Sequence, residues 1–224
     1  MEKMFPKEGS LVPEIRFRGF QGEWERASFG DVFSLLTNNT LSRADLNYEK
    51  GSVLNVHYGD ILVKFREIVD IAIEQLPYIT DTATTEKNIR SRLYNGDVII
   101  ADTAEDETVG KAVEVIGILN IPVVSGLHTI PCRPNLKFAL KYFGFYLNSP
   151  SYRNQLFPLM QGIKVSSISK SALLNTNVLF PTDQQEQEKI GAFLDRLNSE
   201  ITLLSKKLLK LQTLKQSLLQ KMFV

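Results

Sequence analysis

Cysteine is nearly absent from this chain: one residue, Cys132, in 224. A single cysteine excludes an intramolecular disulfide framework and fits a reducing compartment. Histidine is as scarce, with only His57 and His128, and two histidines and a cysteine cannot close a zinc site without carboxylates. No G-x-x-x-x-G-K-[ST] phosphate loop occurs, nor a glycine-rich strand-to-helix turn for a nucleotide or S-adenosylmethionine. No Asn-Pro-Pro-Tyr-like run offers a place to hold a flipped base. The opening MEKMFPKEGS has no apolar run of signal-peptide type, and no segment approaches the length of a membrane span. A cytoplasmic protein is expected.

An excess of either charge is missing too. Lys and Arg number 26 against 25 Asp and Glu, a net of +1. Residues 183–224 hold seven cations and five anions, which leaves 19 against 20 for the rest. A protein of this balance that binds nucleic acid must gather its positive charge on one face.

What the chain has in quantity is leucine near its C-terminus. Ile190, Leu194, Leu197, Ile201, Leu204, Leu208 and Leu211 follow one another at alternating steps of four and three, and the pattern resumes at Leu218 and Met222. A mean step of 3.5 is the coiled-coil period, so a helix over 182–222 is expected to lie beside another long helix. With Leu194, Ile201 and Leu208 at a and Leu197, Leu204 and Leu211 at d, the break falls on Lys215 at an a position. A polar a residue can fix register, or Lys215 lies in a frayed part of the seam with its stem buried and its ammonium in water; the sequence favours neither. Asp183, after Pro181, suits an N-cap.

The residues before this helix read as an α+β unit beginning near Val12 and closing near Phe180. Runs introduced by Gly-Asp (Gly30–Phe33, Gly59–Val63, Gly96–Ile100) read as strands leaving turns. Val113–Ile118, Pro122–Ser125 and Val178–Phe180 read as further strands. Leu136–Leu147 and Ser151–Met160 read as amphipathic helices, and Ser169–Leu174 as a short one. Trp24 reads as a core anchor. The motif Lys3-Met4-Phe5 recurs as Lys221-Met222-Phe223.

Catalytic groupings are few. Cys132 with His57 or His128 can be drawn as nucleophile and base, but nothing fixes the pairing. The cluster Asp102, Glu105, Asp106 and Glu107 could hold Mg²⁺ as in a nuclease or read a cytosine amino group; a solvated loop is the plainer reading. No catalytic residue, bound metal or cofactor is expected. For contact with DNA the candidates are Lys64 and Arg66, then Lys87, Asn88, Arg90 and Arg92, then Arg133, and the loop carrying Gln161, Gly162, Lys164, Ser166 and Ser167. In that loop Gly162 allows close backbone approach, while the lysine and serines offer phosphate or base contacts.

Several stretches, in order, resemble the specificity subunit of Type I restriction–modification enzymes. They are Val12-Pro13-Glu14-Ile15-Arg16-Phe17 with Gly19-Phe20 and Trp24, then Gly96–Ile100, then Gln161–Lys164 with Ile168–Ser171. Phe180-Pro181, Gln185-Glu186-Gln187 and Lys189-Ile190 follow, and Leu218–Phe223 ends the series. The resemblance implies a tail over 1–11 like the end of a conserved helix, a target recognition domain over 12–181, and a conserved long helix over 182–224. Family members usually carry two of each, so the chain resembles the second half of a full subunit, either a natural half-subunit or an excised piece.

The implied role is to read one half of a split double-stranded DNA site without performing chemistry. Modification (methyltransferase) subunits, and through them the restriction subunit, would be the partners, with S-adenosylmethionine, ATP and Mg²⁺ on those subunits. A homodimer through antiparallel helices would read an interrupted palindrome. The rivals are a coiled-coil scaffold that reads no sequence and a self-contained Mg²⁺-dependent nuclease.

Overall fold

Val98-Ile99-Ile100-Ala101 is apolar at every position, the pattern of a strand buried on both faces, and all four residues are fully buried. The computed structural model describes residues 2–80, 89–162 and 164–222. In it this strand is the centre of a five-stranded sheet, ordered Phe33–Leu35, Thr129–Pro134, Val98–Ala101, Ala112–Ile116, Ile68–Asp70. Neighbours run antiparallel except the last pair, which is parallel. Because side chains alternate along a strand, Val98 and Ile100 enter one core while Ile99 and Ala101 enter the other.

The first core is aromatic. Phe5 meets Trp24, Tyr142 and Tyr146 at ring separations of 6.4, 6.2 and 5.6 Å. Met4 and Phe5 are both buried there, so the N-terminal segment is built into the head and does not hang from it. The second core packs Ile61, Phe65, Leu54 and Val56 on the opposite face. It leads to a four-stranded sheet ordered Val123–Ser125, Leu54–Val56, Tyr78–Ile79, Leu46–Asn47. Glu25–Ser28 pairs with Asn177–Phe180, tying the beginning of the head to the residues that lead into the long helix.

Two Gly-Asp runs expected as strands are helical. Tyr58–Val63 forms a short helix because His57 Nδ1 accepts from the Gly59 amide at 3.1 Å and caps it. Lys111 Nζ donates to the Leu62 and Phe65 carbonyls at its other end. Phe29–Val32 is helical behind the Ser28 cap, and only then does the strand Phe33–Leu35 begin. The two expected amphipathic helices also shrink, to Tyr142–Tyr146 and Pro150–Arg153 with a 3-10 turn at Phe157–Leu159. The start at Tyr142 is set from outside: the Glu114 carboxylate accepts from the Lys141 and Gly144 amides at 2.5 and 2.9 Å. Burial pushes that carboxyl up to about 7 even though these amides favour its charged form.

The long helix runs Gln184–Met222, 39 residues or roughly 58 Å at 1.5 Å per residue. Asp183 caps it, its Oδ1 accepting from the Gln185 amide at 2.8 Å. Its root is clamped to the head. Arg16 donates Nε and Nη2 to the two oxygens of buried Glu186 at 2.7 and 2.8 Å. Gln187 receives the Ala139 amide and donates to the Pro181 carbonyl, and Lys141 pairs with Asp195 at 2.6 Å. Gly191 lies so close to the 140–141 backbone that a Cβ would press on it.

Candidate nucleic-acid interface

The sequence candidates fall in three places. The first is the end of the central sheet at Asp102. The serines in Gln161–Ser167 are short and polar and Gly162 sits at φ 121°, where a Cβ would run into the Val165 carbonyl. The segment therefore folds back on itself, Gln161 and Ser167 exchanging two backbone bonds at 3.0 and 2.8 Å. Ser166 and Ser167 then pair with Ala104 and Thr103, and the Ile168 amide donates to the Asp102 carbonyl. Lys164 is exposed on this hairpin.

The same end gathers residues that the sequence left in other roles or unmentioned. His128, at φ 55°, follows the strand Val123–Ser125. Its Nδ1 lies 3.4 Å from both Thr103 Oγ1 and Asp102 Oδ1. Its ring meets Tyr58 edge-on at 5.2 Å, and Tyr58 in turn lies 4.7 Å from His57. Arg43 forms a two-pronged pair with Asp60 at 2.8 and 3.0 Å and touches Tyr48. Burial and the Arg43 charge hold His57 below the usual histidine range, so it is a neutral acceptor for its helix cap. A left-handed histidine is an uncommon backbone state, and such states concentrate at functional positions. That angle cannot be read from the sequence.

The second place is the opposite end of the central strand. Arg133 donates to both carboxylate oxygens of buried Asp97, at 2.9 and 2.7 Å, and lies over the Tyr94 ring at 4.4 Å. Arg92 reaches the same ring and its hydroxyl. The Arg133 fork is occupied by an internal partner, whereas Arg90, in the 3-10 turn Ile89–Ser91, is exposed. Lys87 and Asn88 lie outside the described residues.

The third place adjoins the long helix. Lys64 bonds the Gln75 carbonyl at 2.6 Å and faces Glu74, and Arg66 reaches the Asn198 carbonyl at 3.4 Å. Both are engaged with local partners.

The acidic run is engaged in its own turn. Asp106 accepts from the Thr108 amide at 2.9 Å and from its hydroxyl, and Asp102 accepts from Thr103 at 2.7 Å. Among the described residues no cluster of three or more His, Cys, Asp or Glu is arranged to hold a metal ion. Cys132 is fully buried and its thiol pushed up by that burial.

On the long helix the heptad residues divide. Ile190 and Leu194, read from the sequence as the first seam positions, are 2% and 1% exposed and belong to the head's aromatic core. From Leu197 onward the stripe is open: Ile201, Leu204, Leu208, Leu211, Leu218 and Met222 are between 45% and 72% exposed. Lys215 is exposed among them.

Residues 21–213 match the family model described as the Type I restriction modification DNA specificity domain. The chain belongs to that family. Three solved structures share its fold. The S subunit of a Type-I restriction-modification system from M. genitalium is 12% identical, with a TM-score of 0.54 over 82% of this chain and 41% of that one. A structure of the type I R-M system, concerned with complex assembly and conformational transition, is 16% identical, with a TM-score of 0.58 over 90% and 43%. The HsdS subunit from Thermoanaerobacter tengcongensis is 18% identical, with a TM-score of 0.52 over 85% and 42%. The chain thus spans less than half the length of the solved chains it matches. No curated protein matches it. The α+β head with a long C-terminal helix is the arrangement that the resemblance implied, and among the described residues no helix is long and apolar enough to cross a membrane.

Proposed function

We propose that this chain reads one half of a bipartite DNA site for a Type I restriction–modification system and performs no chemistry itself. The observation that carries the proposal is the family match, which runs through the head and on into the open part of the helix. The surface proposed to meet the duplex is the hairpin end: Gln161, Gly162, Lys164, Ser166 and Ser167, joined by His128, Tyr58 and Arg43. Exposed hydroxyls, an imidazole edge and a lysine offer donors and acceptors for base edges and phosphates. Arg90 would add a phosphate contact from the other end; Lys64, Arg66 and Arg133 are assigned to holding the head together.

The open helix is proposed to pair with a second copy and to dock the modification subunits, which would bring S-adenosylmethionine, and through them the restriction subunit with its ATP and Mg²⁺. An isologous pair reads two copies of one half-site, so the target is an interrupted palindrome.

The test is selection of bound DNA from a random pool by the purified chain, with and without modification subunit, followed by a mobility shift. Enrichment of an interrupted palindrome, bound less tightly as salt rises, is expected. Lys164→Ala should weaken binding of selected and random DNA alike, while His128→Ala should narrow the gap between them. Equal binding of selected and random DNA would overturn the reading in favour of a scaffold that reads no sequence.

A further inference from the structure

The turn 126–129, which joins the strands Val123–Ser125 and Thr129–Pro134, is held from beneath by buried side chains. Thr129 Oγ1 donates its one proton to the Gly126 carbonyl at 2.5 Å and so closes the turn. Ser125 Oγ, 2.6 Å from the same threonine oxygen, must then be the donor to it. From the other side, the Asn39 amide donates to the Ser125 carbonyl at 2.9 Å, and Asn39 Nδ2 donates to Asn55 Oδ1 at 2.7 Å. Ser125, Thr129, Asn55 and Asn39 are all buried, and a hydrogen bond shielded from water is stronger than an exposed one. The left-handed backbone of His128 is therefore imposed by its neighbours, and that backbone places the exposed ring.

The ring's own surroundings choose its proton. His128 Nδ1 lies 3.4 Å from Asp102 Oδ1 and 3.4 Å from Thr103 Oγ1. The Thr103 hydroxyl gives its proton to Asp102 Oδ1 at 2.7 Å, which leaves only lone pairs on the threonine oxygen to face the ring. Both groups beside Nδ1 are thus acceptors. A neutral imidazole carries one proton, and these acceptors draw it to Nδ1. The hydrogen bond made by one ring nitrogen sets the role of the other, so Nε2 keeps its lone pair.

We propose that His128 Nε2 accepts a hydrogen bond from an exocyclic amino group in the major groove, N4 of cytosine or N6 of adenine. This rests on the DNA-reading role above and goes further by naming the base edge. Guanine and thymine present the acceptors O6 and O4 in that groove. Set against Nε2, they would face one lone pair with another, and both groups would be desolvated without a partner. Lys164, a donor with no acceptor, cannot make this distinction, and the serines of the hairpin, which donate and accept, fit either edge.

The test uses the full chain and the DNA that it selects from a random pool, in a mobility shift at about pH 8, above the ordinary histidine range. Each adenine of the half-site is replaced in turn by purine and each cytosine by 2-pyrimidinone, bases that lack the amino group. At one position this should weaken binding by the unaltered chain about tenfold, within the reach of a good base contact, and leave binding by His128→Ala almost unchanged. Which analogue does so tells adenine from cytosine.

Thr129→Val keeps the shape of the side chain but removes the hydroxyl that closes the turn. It should bind random DNA as the unaltered chain does, yet lose sensitivity to the same analogue, and Thr129→Ser should recover it. An amino group whose removal costs the unaltered chain and His128→Ala equally, or a His128-dependent position that holds guanine or thymine, would overturn the assignment while leaving DNA reading in place. A Thr129→Val chain as sensitive as the unaltered one would overturn the positioning of the ring by the buried network. A pool that yields no preferred sequence would instead sink the DNA-reading role itself.

Discussion

The root and the open length of one helix make the same sequence pattern serve two purposes. Up to Leu194 its apolar residues complete the head's own core; from Leu197 they face solvent at the same heptad spacing. Nothing in the residue types separates the two. What differs is the surroundings: the 140–141 backbone against Gly191, and Arg16 and Ala139 against Glu186 and Gln187. Periodicity therefore says that a helix face is covered, and only the tertiary structure says by what.

The largest expected effect breaks the root. Arg16→Met leaves the fully buried Glu186 carboxylate without its two-pronged partner. Stranding one member of a buried pair costs about 3–5 kcal/mol. Urea unfolding of the variant should show that loss at every protein concentration, because the contact is internal. An unchanged midpoint would mean that the root is not held by this pair.

Next comes a direct contrast of the two regions with one substitution type. Leu194→Ala should cost about 2–5 kcal/mol as a buried leucine does, independent of concentration. Leu208→Ala, 58% exposed in the single chain, should leave the head's unfolding midpoint unchanged and show its cost only as a weaker dimer. If both losses vary with concentration, the division at Leu194 is misplaced.

How far the sequence could be read follows the same division. The long helix and the strands Val98–Ala101, Ala112–Ile116, Val123–Ser125 and Asn177–Phe180 were legible, since their apolar runs and bounding turns are local signals. Gly59–Val63 was not: a short apolar run after Gly-Asp fits strand or helix, and the His57 cap decided it. Leu136–Leu147 was misread because Glu114, more than twenty residues earlier in the chain, fixes where its helix begins.

The candidate site shows the same limit. Gly162 and the serines of the hairpin carry a local signal, whereas the joining of Asp102, His128, Tyr58 and Arg43 depends on strand pairing across the head. Arg133 was legible as a charge but not as the partner of Asp97.

A third prediction concerns pH and the head alone. Glu114 has a folded-state pKa raised from 4.5 to about 7 by burial. The folded chain therefore holds this proton more tightly than the unfolded one. The stabilisation is full below about 4.5 and is lost as pH rises towards 7, on the order of 3 kcal/mol across that window. Glu114→Gln, which cannot titrate, should unfold in urea with a flatter dependence between pH 5 and 7. An unaltered slope would place the titration elsewhere. The open helix, its apolar layers insensitive to this proton, should show no matching change in dimer mass for the variant between pH 5 and 7.

The smallest effect sets stability against recognition within the head. His128 holds φ 55°, a region that costs an L-residue roughly 1 kcal/mol and glycine almost nothing. His128→Gly removes the contacts with Tyr58, Thr103 and Asp102, all partly exposed, so little packing is lost in exchange. The relief is partly offset by the wider freedom glycine has in the unfolded chain, and the unfolding midpoint should stay level or rise slightly. If the histidine is there to read DNA, discrimination between selected and random sequence should fall in the same variant. A variant that loses stability while discriminating as well as the unaltered chain would make His128 a packing residue and move the proposed interface away from the hairpin end.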